Sequence, residues 1–157
     1  MRLTRMFAAL MTLGLIAAGC GWSPPSATPP KACAPSDGPS AQTVEQAIAG
    51  LGGGEWIEVM RGYAGNCELH WAHVALSNTG SERPQQVLFF NRNTPLGPAT
   101  PEPRPYISVT AAGDNTAAVQ YQWRQGQDPA CCPTGIATVR FMIEDGKLKA
   151  LDPIPNS

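Results

Sequence analysis

Charge is scarce in this chain. Only 15% of its 157 residues are Asp, Glu, Lys or Arg, and the signs nearly cancel, eleven basic against twelve acidic. The charges are scattered with no basic stripe, which argues against a nucleic-acid partner. No apolar run reaches the roughly 20 residues of a spanning helix. C-x2-C is absent, and with it the usual zinc-ligand pairing and the thioredoxin-type dithiol. There is no Gly-x-Ser-x-Gly elbow, and Gly52 to Gly54 lack the following Lys-Ser or Lys-Thr of a phosphate loop. No internal repeat is visible.

What is present begins with the leader "MRLTRMFAALMTLGLIAAGCGW". Arg2 and Arg5 precede an apolar stretch from Met6 to Ala18 interrupted by Thr12 and Gly14. Basic start, short apolar core and small residues are the order of a secretory signal peptide, residues 1–19. The closing "AAGC" resembles the bacterial lipobox, with Ala17 where leucine is usual and Cys20 as the lipidated residue. Residues 20–39, rich in Pro, Ser and Ala, read as an extended tether behind the lipid. Two or more palmitate-type acyl chains suffice for stable anchoring, each buried methylene contributing about 0.8 kcal/mol. The expected address is the cell membrane, lipid-anchored at its extracytoplasmic face. Losing Arg2 and Arg5 with the leader takes the basic residues from eleven to nine, a mildly acidic remainder. Residues 40–157 are the size of a single domain.

That address decides the cysteine chemistry. Beyond Cys20 there remain Cys33, Cys67, Cys131 and Cys132. An even number in an oxidising compartment reads as two disulfides. A bridge between adjacent residues has its α-carbons only about 3.8 Å apart, against roughly 4.4–6.8 Å in ordinary disulfides. Successive side chains of an extended segment also point to opposite sides. One late cysteine is therefore expected beside Cys33 and the other beside Cys67, with the assignment left open. The alternative, a metal held by Cys67, His70 and His73 of "CELHWAH", requires a helix. The branched and aromatic residues of that stretch favour a strand, on which His70 and His73 face opposite ways. No metal and no cofactor is expected.

The body of the domain shows one helix followed by strands. Val44, Ala47, Ile48 and Leu51 recur at helical spacing as one apolar stripe. Thr43 and Gln46 suggest a capping box at its start, and the glycines from Gly52 end it. Beyond this the period becomes two: Val119, Tyr121 and Trp123 fall on one face of "AVQYQWRQ", Gln120, Gln122 and Arg124 on the other. Trp123 is thus expected inside and Gln122 outside. Asp145-Gly146 between two strand-like runs marks a hairpin. The fold class is α+β, one N-terminal helix packed on an antiparallel sheet of about five to six strands and braced by disulfides.

Four separated stretches, "RPQQVLFFNRNTPLGPAT", "VQYQW", "CCPTGIATVRF" and "KLKALDPIP", together resemble the LppP/LprE family of actinobacterial lipoproteins. The match runs through a Pro-Gln-x-x-Leu-x-Phe strand at Pro84 to Phe90, Leu-Gly-x-Ala-Thr at Leu96 to Thr100, and Leu151, Asp152 and Pro155 at the end. Members space the late cysteines more widely than this chain does. The resemblance implies an envelope lipoprotein and brings no catalytic residues to carry over.

An enzyme would show a nucleophile with a base, paired carboxylates or a metal. His70 and His73 are the only bases that titrate near neutrality. Both lie in an apolar strand, where a satisfied histidine is the commoner outcome. Glu55 and Glu58 flank Trp56 in what reads as a solvated loop. The expectation is no enzyme but a binding or adapter protein of the envelope, with Trp22, Trp56, Trp71 and Trp123 as candidate contacts. Small-ligand or lipid carriage is the alternative, and an enzyme with an unrecognised site the second. Partners are then the membrane, through Cys20, and an envelope protein or lipid.

Overall fold

A computed structural model describes residues 32–77, 80 and 82–156. The signal peptide, Cys20, Trp22 and the tether up to residue 31 lie outside the described residues. A short 3-10 turn, Pro35–Asp37, leads into helix α1, Ala41–Ala49. Eight strands follow: β1 Trp56–Tyr63, β2 Leu69–Leu76, β3 Gln85–Asn91, β4 Thr94–Pro98, β5 Ile107–Ala111, β6 Thr116–Trp123, β7 Gly135–Glu144 and β8 Lys147–Ala150. They form two four-stranded antiparallel meanders, β1-β2-β3-β4 and β5-β6-β7-β8.

The expected single sheet of five to six strands is therefore corrected to two sheets of four strands, while the one helix and the antiparallel pairing stand. Inward residues of both sheets share one core: Leu69, Trp71, Val87 and Phe89 from the first, Val109, Val119, Tyr121, Val139 and Phe141 from the second. The rings of Phe89 and Phe141 meet across it, centroids 5.1 Å apart. The outer face of the first sheet carries a smaller core, Ala72, Val74, Leu88 and Phe90, onto which α1 lays Val44, with Ala47, Ile48 and Leu51 partly buried at its edge. Sheet one is thus covered on both faces. That is why "LHWAHVAL" and "VLFF" read as continuous apolar runs instead of alternating ones.

Helix α1 starts earlier than its pattern suggested. Ser40 is the cap, its hydroxyl accepting from the Thr43 N–H at 3.1 Å, so Thr43 is already inside the helix. The helix closes at Gly50, and Gly52 and Gly53 then take positive φ. Asp145 and Gly146 both have positive φ, the pair of left-handed residues that a two-residue hairpin turn requires. In β6 the alternation holds through Val119 and Tyr121 and fades at the strand end. Trp123 is half-buried, as is Gln122. Instead of entering the core, the Trp123 indole crosses its register partner Gly135, where a Cβ would come within about 2.5 Å of the ring.

Candidate functional site

The cysteine pairing differs from expectation. Cys33 is joined to Cys67, α-carbons 5.5 Å apart, and Cys131 is joined to its neighbour Cys132. The topology gives the reason. Cys67 sits in the turn between β1 and β2, where the segment before α1 passes, whereas the late pair sits in the β6–β7 loop of the other sheet. In that loop the Cys132 N–H donates to the Pro129 carbonyl, a turn and not the extended segment that would part the two side chains.

Cys33 of the Cys33–Cys67 bridge lines a cleft of about 290 Å³. Its walls come from the arm at residues 33–39, the end of β1 and the start of β2. The arm is packed, although the sequence places it in the tether. Pro39 is buried, its carbonyl accepts from Arg61 Nη1 at 3.2 Å, and Gly38 lies flat on the His70 ring, with room for no side chain. His70 is itself buried and its Nε2 donates to the Cys67 carbonyl at 3.1 Å. The imidazole thus spans the cysteine turn and the arm, and its ring stacks obliquely near Tyr63 at 5.9 Å.

One glycine shapes the other wall. Gly62 pairs with Trp71 in register, and the indole lies directly over it; a Cβ there would come within about 2.3 Å of the ring. Trp71 is 3% exposed, and its Nε1 has no hydrogen-bond partner among the described residues. A buried donor without a partner is uncommon in folded chains. Beside it Arg61 is held by a two-pronged bond to Glu58, which raises the guanidinium pKa further and leaves the pair electrically balanced.

Beyond the cleft, β1 is the edge of its sheet, paired with β2 alone. Ile57, Val59, Met60 and Tyr63 are 42, 45, 45 and 40% exposed, four large apolar side chains on one edge strand. The register shifts between Glu58 and Met60, leaving Val59 as a bulge outside the ladder. The bulge also puts Glu58 and Arg61 on one face, which lets them pair.

The remaining residues named from the sequence do not converge. His73 faces away from His70, into the space between the sheets, and its Nε2 meets Gln85 Oε1 at 2.7 Å. Burial lowers its pKa, against the Gln85 bond and with help from Arg83. Glu55 takes a bond from the Ser77 hydroxyl at 3.2 Å and does not meet Glu58. Trp56 donates to the Gly52 carbonyl at 2.7 Å. Among the described residues no three His, Cys, Asp or Glu side chains gather as a metal site, and no helix is long and apolar enough to cross a membrane. Arg61, Gly62 and Tyr63 were not singled out in the sequence. The available signal was a lone glycine inside a strand-like stretch, which often marks a close approach of another group.

The profile of the LppP/LprE lipoprotein family matches residues 61–146, from the cleft's β1 wall to the β7–β8 turn. The chain is 52% identical over 151 residues to a protein called "Putative lipoprotein LppP" in Mycobacterium bovis, an alignment spanning 92% of this chain and 86% of the relative. Proteins of the same name from two strains of Mycobacterium tuberculosis match to the same extent. No solved structure matches the chain. The chain belongs to the LppP/LprE lipoprotein family.

Proposed function

We propose that the protein is a lipid-anchored, non-catalytic binder or adapter at the extracytoplasmic face of the cell membrane, held there through Cys20. The observation that carries this reading is the open β1 edge with its four exposed apolar side chains. Unpaired strand edges invite a further strand, and exposed apolar rows mark contact surfaces. An extended apolar segment of an envelope protein laid along Met60–Tyr63 would gain main-chain bonds and could place one side chain in the adjoining cleft. At about 290 Å³ that cleft is at the low end of small-ligand pockets, which run roughly 300–1,000 Å³. It suits a side chain better than a lipid, so carriage is the weaker alternative. Catalysis has less support still: in the cleft His70 is spent on a carbonyl and Arg61 on Glu58, leaving no base beside a nucleophile.

One experiment in intact cells tests both halves. A photo-crosslinking residue at Met60 should trap an envelope polypeptide, and adding Val59→Lys should abolish the adduct without altering the fold. The same residue at Ile136, 56% exposed on the second sheet, is the control. Cys20→Ser should move the protein out of the detergent phase. Equal adducts from both positions would refute the edge reading, and undiminished membrane retention of Cys20→Ser would refute the anchor.

A further inference from the structure

We propose that Cys131–Cys132 is a thiol-exchange site, a disulfide that opens and closes against small thiols while Cys33–Cys67 stays shut. This inference goes beyond the binding role argued above and stands independently of it. The two bonds differ in what surrounds them and in what they tie. Cys33 and Cys67 are half-buried and join the arm to the head of β2 across 34 residues. Cys131 and Cys132 are both exposed to an incoming thiolate, and their bond spans a single peptide link.

The loop that carries the late pair is held without it. At its stem Trp123 pairs with Gly135, and the indole lies over that glycine. Within the loop one carboxylate gathers the chain. Asp128 Oδ2 accepts from the Gln125 N–H at 2.8 Å, the Thr134 N–H at 2.8 Å and the Thr134 hydroxyl at 2.7 Å. Arg124 Nε donates to the Asp128 carbonyl at 2.8 Å, and the Cys132 N–H to the Pro129 carbonyl at 3.0 Å. The Tyr106 hydroxyl donates to the Ala130 carbonyl, and the same ring lines a second cavity, of about 220 Å³, beside the end of β6. None of these bonds uses a cysteine side chain. Pro129 and Pro133 bracket the pair with fixed φ. Opening the sulfur bond therefore leaves two thiols side by side in a loop that keeps its shape.

Such a bond suits exchange. Adjacent residues hold their α-carbons 3.8 Å apart, below the roughly 4.4–6.8 Å of ordinary disulfides, and such departures make a bond easier to reduce. An incoming thiolate R–S⁻ attacks one sulfur, forms a mixed disulfide with it and expels the neighbouring cysteine as a thiolate, which takes up a proton. A second R–SH displaces the protein sulfur, so two R–SH leave as R–S–S–R and the protein keeps two thiols. The protein gains the two electrons that the thiols lose. In reverse, one cysteine takes half of a small disulfide, and the adjacent thiol closes the ring and releases that half as a second R–SH. The resident neighbour makes the closing step intramolecular, so mixed disulfides do not persist.

The test equilibrates the full-length protein in detergent with mixtures of reduced and oxidised dithiothreitol, then alkylates free thiols and maps them by peptide mass. Cys131 and Cys132 should become alkylated together, at a reduced-to-oxidised ratio at least about tenfold lower than Cys33 and Cys67 require. The urea midpoint of the protein opened at that ratio should move by less than about 1 M. Glutathione disulfide added after removal of dithiothreitol should restore the Cys131–Cys132 bond and release two glutathione thiols per protein. Cys132→Ser should instead stop with one glutathione bound at Cys131. The proposal is overturned if the late pair needs as much reductant as Cys33–Cys67, if opening it unfolds the domain, or if glutathione stays bound to the wild-type pair.

Discussion

Removing the two disulfides separately should give very unequal losses of stability. Cys33 and Cys67 are 34 residues apart, and their link closes a loop holding the 3-10 turn, α1 and β1. In the chain-entropy model, a loop of that length contributes about 4 kcal/mol at 25 °C. Cys131 and Cys132 are one residue apart, so almost no loop exists to restrain, and the same expression gives about 1 kcal/mol. The assay is urea unfolding of Cys33→Ala/Cys67→Ala and of Cys131→Ala/Cys132→Ala, followed by tryptophan fluorescence. With a slope of about 1.5 kcal/mol per molar urea, the first variant should unfold about 2.5 M earlier and the second by less than about 1 M. Equal shifts would mean that the late cysteines also close long loops. A shift under about 0.5 M for the first variant would refute the loop argument altogether.

Two further outcomes follow from single positions. Gly62→Ala drives a methyl into the Trp71 indole and should cost about 1–3 kcal/mol while shifting tryptophan emission, measured by the same unfolding assay; wild-type stability would show that the indole is free to move. His73 is held neutral by burial, so its folded pKa lies below the 6.5 of the unfolded chain. The unfolded state then binds the extra proton, and stability is unaffected above about pH 6.5 and falls as pH drops below it. Replacing His73 by Gln should flatten the stability profile between about pH 6.5 and 5, and an unchanged slope would assign the proton elsewhere.

Much of the fold is legible in local pattern. The apolar stripe from Val44 and the Asp145-Gly146 turn are set by neighbours in sequence, and both form, the helix two residues earlier at its start than Thr43 suggested and ending before Leu51. β4 hides because "TPLGP" holds two prolines and a glycine, tolerable only on an edge strand where a missing N–H breaks no second ladder. β1 hides because as an edge strand it keeps charged and apolar residues together in solvent, and its bulge resets the alternation midway. The cysteine pairing depends on which turns meet in space, and that is a property of two sheets and not of any spacing. The two cavities were equally out of reach. Both indoles that line them, Trp71 and Trp123, lie on a cross-strand glycine, Gly62 and Gly135, and a glycine does not say which ring will lie on it.

The bond between Cys33 and Cys67 also decides how the domain meets mechanical load. Any pull on the chain ahead of residue 32 reaches Cys33 first and crosses the disulfide directly to the head of β2, a strand hydrogen-bonded on both sides by β1 and β3. The covalent shortcut excludes residues 34–66 from the load path, so α1 with its single fully buried anchor, Val44, is never the part that is tugged. Tension arriving from a membrane would have to draw a central strand out of its sheet before the helix felt it. Reduction of that one bond reroutes the same tension through the arm and α1 before it reaches any strand.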